Sequence, residues 1–229
     1  MMIKVPSGYF WMGGNPDDVQ SDPDEDPYHK VYLSTYYIDE TEVTQLAYKP
    51  CVDAGVCEKP SSDYYPTISP NKPMVEVTWY MAKDYCEWAG KRLPTEAEWE
   101  KAARGTDGRI YPWGNDTPNC GLALSTRCEG APQDVCTRSP AGDSFYGLCD
   151  MAGNVEEWVA DWYDGAYYQV SPGSNPHGPG SGSKKVVRGG RYIHFDGLDP
   201  YNWDMLRTSK RWLWNPDESH YLRGFRCAK

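Results

Sequence analysis

No stretch of the 229-residue chain approaches ~18 uninterrupted apolar residues, so no membrane-spanning helix is expected. A signal-peptide pattern is also missing, because Lys4 and Pro6 lead straight into the polar Ser7-Gly8 turn. No Cys-x-x-Cys pair occurs, which weakens a zinc reading of the cysteines. Positive charge is scarce: 23 Lys and Arg against 33 Asp and Glu leave a net charge of -10. Phosphate binding needs Lys/Arg neutralisation, so nucleic acid is not an expected partner. The acidic run Asp17, Asp18, Asp22, Asp24, Glu25 and Asp26 lacks EF-hand spacing and reads as a solvated loop. There is no internal repeat and no composition break, so residues 1–229 are expected to form one domain. A chain this long buries roughly 70% of its unfolded surface without help from a partner.

What the sequence does contain is aromatic and turn-rich. Ten Trp and 18 Tyr supply large buried areas at few positions, and 22 Gly with 19 Pro demand many turns. The expected class is therefore α+β with little regular secondary structure. Eight cysteines, an even and high number, imply disulfides and an oxidising, extracytoplasmic or cell-surface setting. Cys51 and Cys57 are close enough to close a small loop. Cys120, Cys128, Cys136 and Cys149 allow three pairings.

Along the chain, residues 3–13 read as a strand interrupted by a Pro-Ser-Gly turn, and 29–37 as a second strand. Thr44 is an expected N-cap for a helix toward Cys57 that Pro50 should break or kink. Trp79, Ala82, Tyr85, Cys86 and Ala89 form a helical apolar stripe ending at Gly90. Thr95-Glu96-Ala97-Glu98 is a capping box, which predicts a helix to about Arg104. Residues 106–150 are an extended loop region, and 171–184 a flexible surface loop. Strands are predicted at 154–162, 185–192 and 222–227.

Segments at 75–104 (VEVTWYMAKDYCEWAGKRLPTEAEWEKAAR), 111–115 (YPWGN), 146–162 (YGLCDMAGNVEEWVADW), 187–190 (VRGG) and 224–227 (GFRC) occur in an order that resembles the formylglycine-generating, or sulfatase-modifying, enzyme family. GYFWMG and DETEVT near the start extend the resemblance over nearly the whole chain. It implies an irregular C-type-lectin-like fold and a disulfide between Cys86 and Cys227. In the family's oxidases two cysteines after a Gly-Gly-x-Tyr segment bind copper(I), for which soft thiolates are suited. Here the matching positions are His194 and Asp199, so copper is not expected and no catalytic residue is assigned.

The resemblance also implies a structural calcium ion held by the Asp150 and Glu157 carboxylates and the Gly153 and Val155 carbonyls, hard oxygen donors of the kind calcium prefers. A second family calcium site would involve Asn119 and the Cys120 carbonyl, but the residues that follow depart from the pattern. The expected ligand-binding face comprises Tyr192, His194, Phe195, Asp196, Asp199, Tyr201, Asn202, Trp203, Trp212 and Trp214, within the segment 191–221. Tyr, Trp, Asn and Asp combine rigid contact area with adaptable hydrogen bonding. The expected function is non-catalytic binding of a protein, peptide or other ligand, as in the variable proteins of diversity-generating retroelements. The alternative is a metal-dependent oxidoreductase with a substituted site at His194 and Asp199.

Overall fold

The computed structural model describes residues 1–60, 64–125, 128, 131–192 and 203–229. Two small antiparallel sheets begin the chain. β1 (Met2–Val5) pairs with β4 (Tyr36–Asp39), and β2 (Gly8–Met12) pairs with β3 (His29–Leu33). The expected single strand over 29–37 is thus two strands in different sheets, broken at Ser34-Thr35. The main sheet has four strands in the order β7 (Trp212–Trp214), β6 (Lys185–Arg188), β5 (Glu156–Trp162), β8 (Arg223–Phe225). β5 and β8 run parallel and the other pairs antiparallel. β7 is the one strand of this sheet that the hydropathy pattern does not announce, being three residues long.

Among the described residues three α-helices pack around this sheet: α1 (Gln45–Asp53), α2 (Trp79–Trp88) and α3 (Glu96–Arg104). Each has a threonine N-cap. The Thr44, Thr78 and Thr95 hydroxyls accept from the amides of Ala47, Met81 and Glu98. At α3 the Glu98 carboxylate returns a bond to the Thr95 amide, completing the expected capping box. Pro50 lies inside α1 rather than ending it at once, and the helix stops three residues later. Four disulfides use all eight cysteines: Cys51–Cys57, Cys86–Cys227, Cys120–Cys128 and Cys136–Cys149. The first two are as expected, and the last two select one of the three open pairings. Together they suit an oxidising, extracytoplasmic environment.

Two large apolar clusters, with two smaller ones beside them, fill most of the interior. One gathers Phe10, Val31, Ile38, Trp99, Met151 and Val186, and the other gathers Tyr48, Val77, Tyr85, Trp158, Val187 and Phe225. Charged groups are buried beside them. All nine residues of α3 are buried, including Glu96, Glu98, Glu100, Lys101 and Arg104. Glu96 accepts from Arg211 at 2.8 and 3.0 Å, and Glu100 accepts from Arg188 and from Arg104 at 2.9 Å. Burial opposes ionisation of Glu96, but Arg211 and Arg188 outweigh it and hold its carboxyl below the ordinary value.

The acidic run is not a solvated loop. Arg207, with no exposed surface, takes both Glu25 oxygens at 2.6 and 2.7 Å and reaches Asp18 at 3.0 Å. Lys210 binds Asp22, and Arg211 donates to the Asp24 carbonyl. Cations distant in sequence therefore draw this acidic segment onto the body of the fold.

Breaking such a buried pair leaves an uncompensated charge, which costs about 3–5 kcal/mol. Arg207→Met should lower unfolding stability by that amount in urea titrations and open the 17–26 segment to proteases. A Glu25→Leu second change should recover part of the loss. Asp161 offers a pH test. Burial, with Glu96 nearby, pushes its carboxyl up to about 8, while its Oδ2 accepts from the Glu96 amide at 2.8 Å. The folded chain then holds a proton that the unfolded chain releases near pH 4, so stability falls as pH rises from about 4 to 8. Asp161→Asn keeps the acceptor and should remove that slope, at most about 1.4 kcal/mol per pH unit, in unfolding measured at pH 5 and 8.

Candidate functional site

β7 and the turn leading to β8 carry an aromatic ladder. The Arg223 guanidinium lies between the rings of Trp158 and Trp214, 4.6 and 4.5 Å from their centroids. Trp214 stacks on His220 at 6.5 Å, and His220 on Tyr221 at 4.5 Å. Burial lowers the His220 pKa, and its Nδ1 accepts from the Leu222 amide at 3.2 Å, which places the proton of the neutral ring on Nε2. Glu156 anchors the ladder, accepting from Arg223 at 2.7 Å and from Arg191 at 3.0 Å.

Tyr221 closes one side of a cavity of about 290 Å³, whose walls include Tyr65, Lys72, Val75, Pro132 and Tyr192. Exposed Leu46, Tyr65, Ile68 and Tyr221 leave an apolar surface in the same region. Among the expected face residues, Tyr192 is buried and contributes to the cavity wall, with its amide donating to the Asn154 carbonyl. Trp212 and Trp214 are half-buried on β7, and Lys210 sits 5.2 Å over the Trp212 ring. Trp203 is half-buried against Tyr111, Met205 and Leu206, away from the cavity wall. His194, Phe195, Asp196, Asp199, Tyr201 and Asn202 lie outside the described residues. Sequence reasoning missed Tyr65, Lys72 and Pro132, which sit in turn-rich segments without periodic signal.

The residues that the resemblance assigns to calcium lie where β5 begins. Asp150 and Glu157 are buried, and Asp150 accepts from the Cys136 amide at 2.7 Å. Glu157 is held by Arg226 at 2.7 and 2.8 Å and by the Trp99 indole at 2.9 Å. The sequence reading missed Glu42. It is buried, its Oε1 accepts from the Asn154 side-chain carboxamide at 2.9 Å, and its Oε2 accepts from no donor among the described residues. Burial raises the pKa of Glu42, with Asp150 adding to the rise, and burial raises that of Asp150 too. Glu42 and Asp150 both lie close enough to act on the Arg226 guanidinium that Glu157 binds, but among the described residues no three Asp, Glu, His or Cys side chains converge as a metal cluster. Asn119 and Cys120 are exposed instead, with the Asn119 carboxamide accepting from Gly121 at 2.9 Å.

The family model for the sulfatase-modifying factor enzyme 1-like domain matches residues 1–229. The formylglycine-generating enzyme of Streptomyces coelicolor is 33% identical over 99% of this chain and 88% of its own length. Among solved structures, PvdO from Pseudomonas aeruginosa superimposes with a TM-score of 0.83 at 25% identity, covering 99% of this chain and 93% of that one. Treponema denticola variable protein 1 gives 0.76 at 25% identity, covering 99% and 94%. On a match that runs from the first residue to the last, the chain belongs to the sulfatase-modifying factor enzyme 1-like domain family, with its irregular C-type-lectin-like fold.

Proposed function

We propose that this domain binds a protein, peptide or other ligand at the face formed by β7, the His220–Tyr221 turn and the adjoining cavity, and that it does not perform thiol-dependent oxidation. The observation that carries this reading is the state of sulfur: all eight cysteines are closed in disulfides, so no thiolate remains to hold copper(I). Similarity to Treponema denticola variable protein 1 supports a display role of the retroelement-diversified kind. The aromatic ladder and the apolar rim are the surface such a role uses.

We also propose that calcium binds between the Asp150 and Glu157 carboxylates and the Gly153 and Val155 carbonyls. Its role is structural. By neutralising the buried carboxylates it would hold β5 against the loop that carries Cys136.

Two measurements test these readings. Purified protein, incubated with copper or iron and a cysteine-containing peptide, is expected to show no peptide-dependent oxygen uptake, and sustained turnover would overturn the binding reading. Calcium at about 100 times its dissociation constant should stabilise the fold by about 2.7 kcal/mol. For a domain of this size that raises Tm by roughly 5–10 °C. The rise should reverse with chelator and vanish in Asp150→Asn, and an unchanged Tm would sink the calcium assignment.

A further inference from the structure

The cavity beside Tyr221 has a charge character opposite to that of the molecule. The chain carries a net charge of -10, yet no carboxylate lines this cavity among the described residues. Among the described residues its single charged wall residue is Lys72, half-buried where the 64–73 segment meets α1. Among the described residues Lys72 makes no ion pair and no side-chain hydrogen bond. Other lysines of the chain illustrate the contrast: Lys49, Lys83, Lys91 and Lys210 each reach a carboxylate, and Lys185 donates to the Ala160 carbonyl. A half-buried ammonium whose three donors are unused is a site waiting for an acceptor.

The surroundings add to the same field. α1 starts at the cavity with Gln45 in the wall, so the positive end of its dipole lies there. The Gln45 and Leu46 amides are already bonded to the carbonyls of Lys72 and Pro70. They fix the position of the Lys72 backbone and leave the ligand to the side chain. Ser69 and the Tyr65 and Tyr221 phenols supply hydroxyls on the wall, while Pro73, Val75, Ala131 and Pro132 make the rest apolar. A volume of about 290 Å³ holds one amino-acid side chain or a small ring compound rather than an extended ligand.

We infer that this cavity selects a carboxylate carried on an apolar body, with Lys72 pairing the charge and the proline, valine and tyrosine walls covering the body. The inference rests on the binding reading above and names the chemistry its ligand must contain. A carboxylate of this kind occurs as a free aryl or alkyl acid and as the terminal carboxylate of a peptide ending in an apolar residue.

Calorimetric or NMR titration distinguishes these sources. The probes are 3-phenylpropionate, its primary amide, and a short glycine peptide ending in phenylalanine with a free or an amidated terminus. At least one acid should bind roughly tenfold more tightly than its amide, the range expected for a hydrogen bond to a charged group. Lys72→Gln should abolish that preference, and Lys72→Arg should retain it. Binding of the free acid alone assigns a small molecule, and binding of the peptide acid alone assigns a chain terminus. Equal affinity of acid and amide, no binding of any probe, or a preference that survives Lys72→Gln would each overturn the inference. None of these results bears on oxygen uptake, so failure here and failure of the binding reading are separable.

Discussion

The structure depends on arginine–carboxylate pairing around a helix that has no exposed side. α3 is buried along its whole length, although five of its nine residues carry charge. Each charge has a designated partner, and most of these come from distant parts of the chain. Glu96 takes Arg211, Glu98 takes Arg92, Glu100 takes Arg188, Lys101 takes the Pro6 and Gly8 carbonyls, and Arg104 takes the Trp11 and Gly13 carbonyls. Buried ion pairs of this kind add little net stability over apolar packing, but a misplaced one is costly. Their effect here is geometric: loops without regular hydrogen bonding are located by where their charges must go. Glu25 with Arg207, Glu156 with Arg223 and Glu157 with Arg226 extend the same rule to the first loop and to β8.

Local signals were legible in the sequence and long-range electrostatics were not. The Thr95–Glu98 capping box, the Thr44 cap and the Cys51–Cys57 loop involve residues within one turn or one loop, so their chemistry is readable from spacing. The acidic run could not be read that way, because Arg207 is 182 residues from Glu25. Patterning rules assign charge to the surface, and this fold places paired charges inside. β7 escaped notice because three residues cannot display alternation. The split between β3 and β4 depends on different partners, β2 and β1, rather than on the strand sequence itself. The motif resemblance supplied what spacing did not, including the Cys86–Cys227 bridge.

The candidate site shows the same division. Tyr192, Trp212 and Trp214 were expected on one face, and the structure puts Tyr192 in a cavity wall and the two tryptophans on an edge strand. Their neighbours Tyr65, Lys72 and Pro132 come from turn-rich loops. Glu42 joins Asp150 and Glu157 from more than a hundred residues away. In each case the neighbours come from segments distant in sequence, and only folding supplies the company these residues keep.

The position of β8 has a consequence for how the chain acquires its structure. β8 lies parallel to β5, Ala228 bridges both Ile38 and Arg92, and Lys229 exchanges backbone bonds with Tyr37. The 223–229 segment thus completes contacts with residues far away in sequence. Contacts of such large sequence separation slow folding and leave intermediates exposed. Until residues 223–229 have emerged, Glu156 and Glu157 lack Arg223 and Arg226, and Cys86 lacks Cys227. The Cys86–Cys227 bridge spans 141 residues, so its oxidation locks together segments that the three short-range disulfides leave independent.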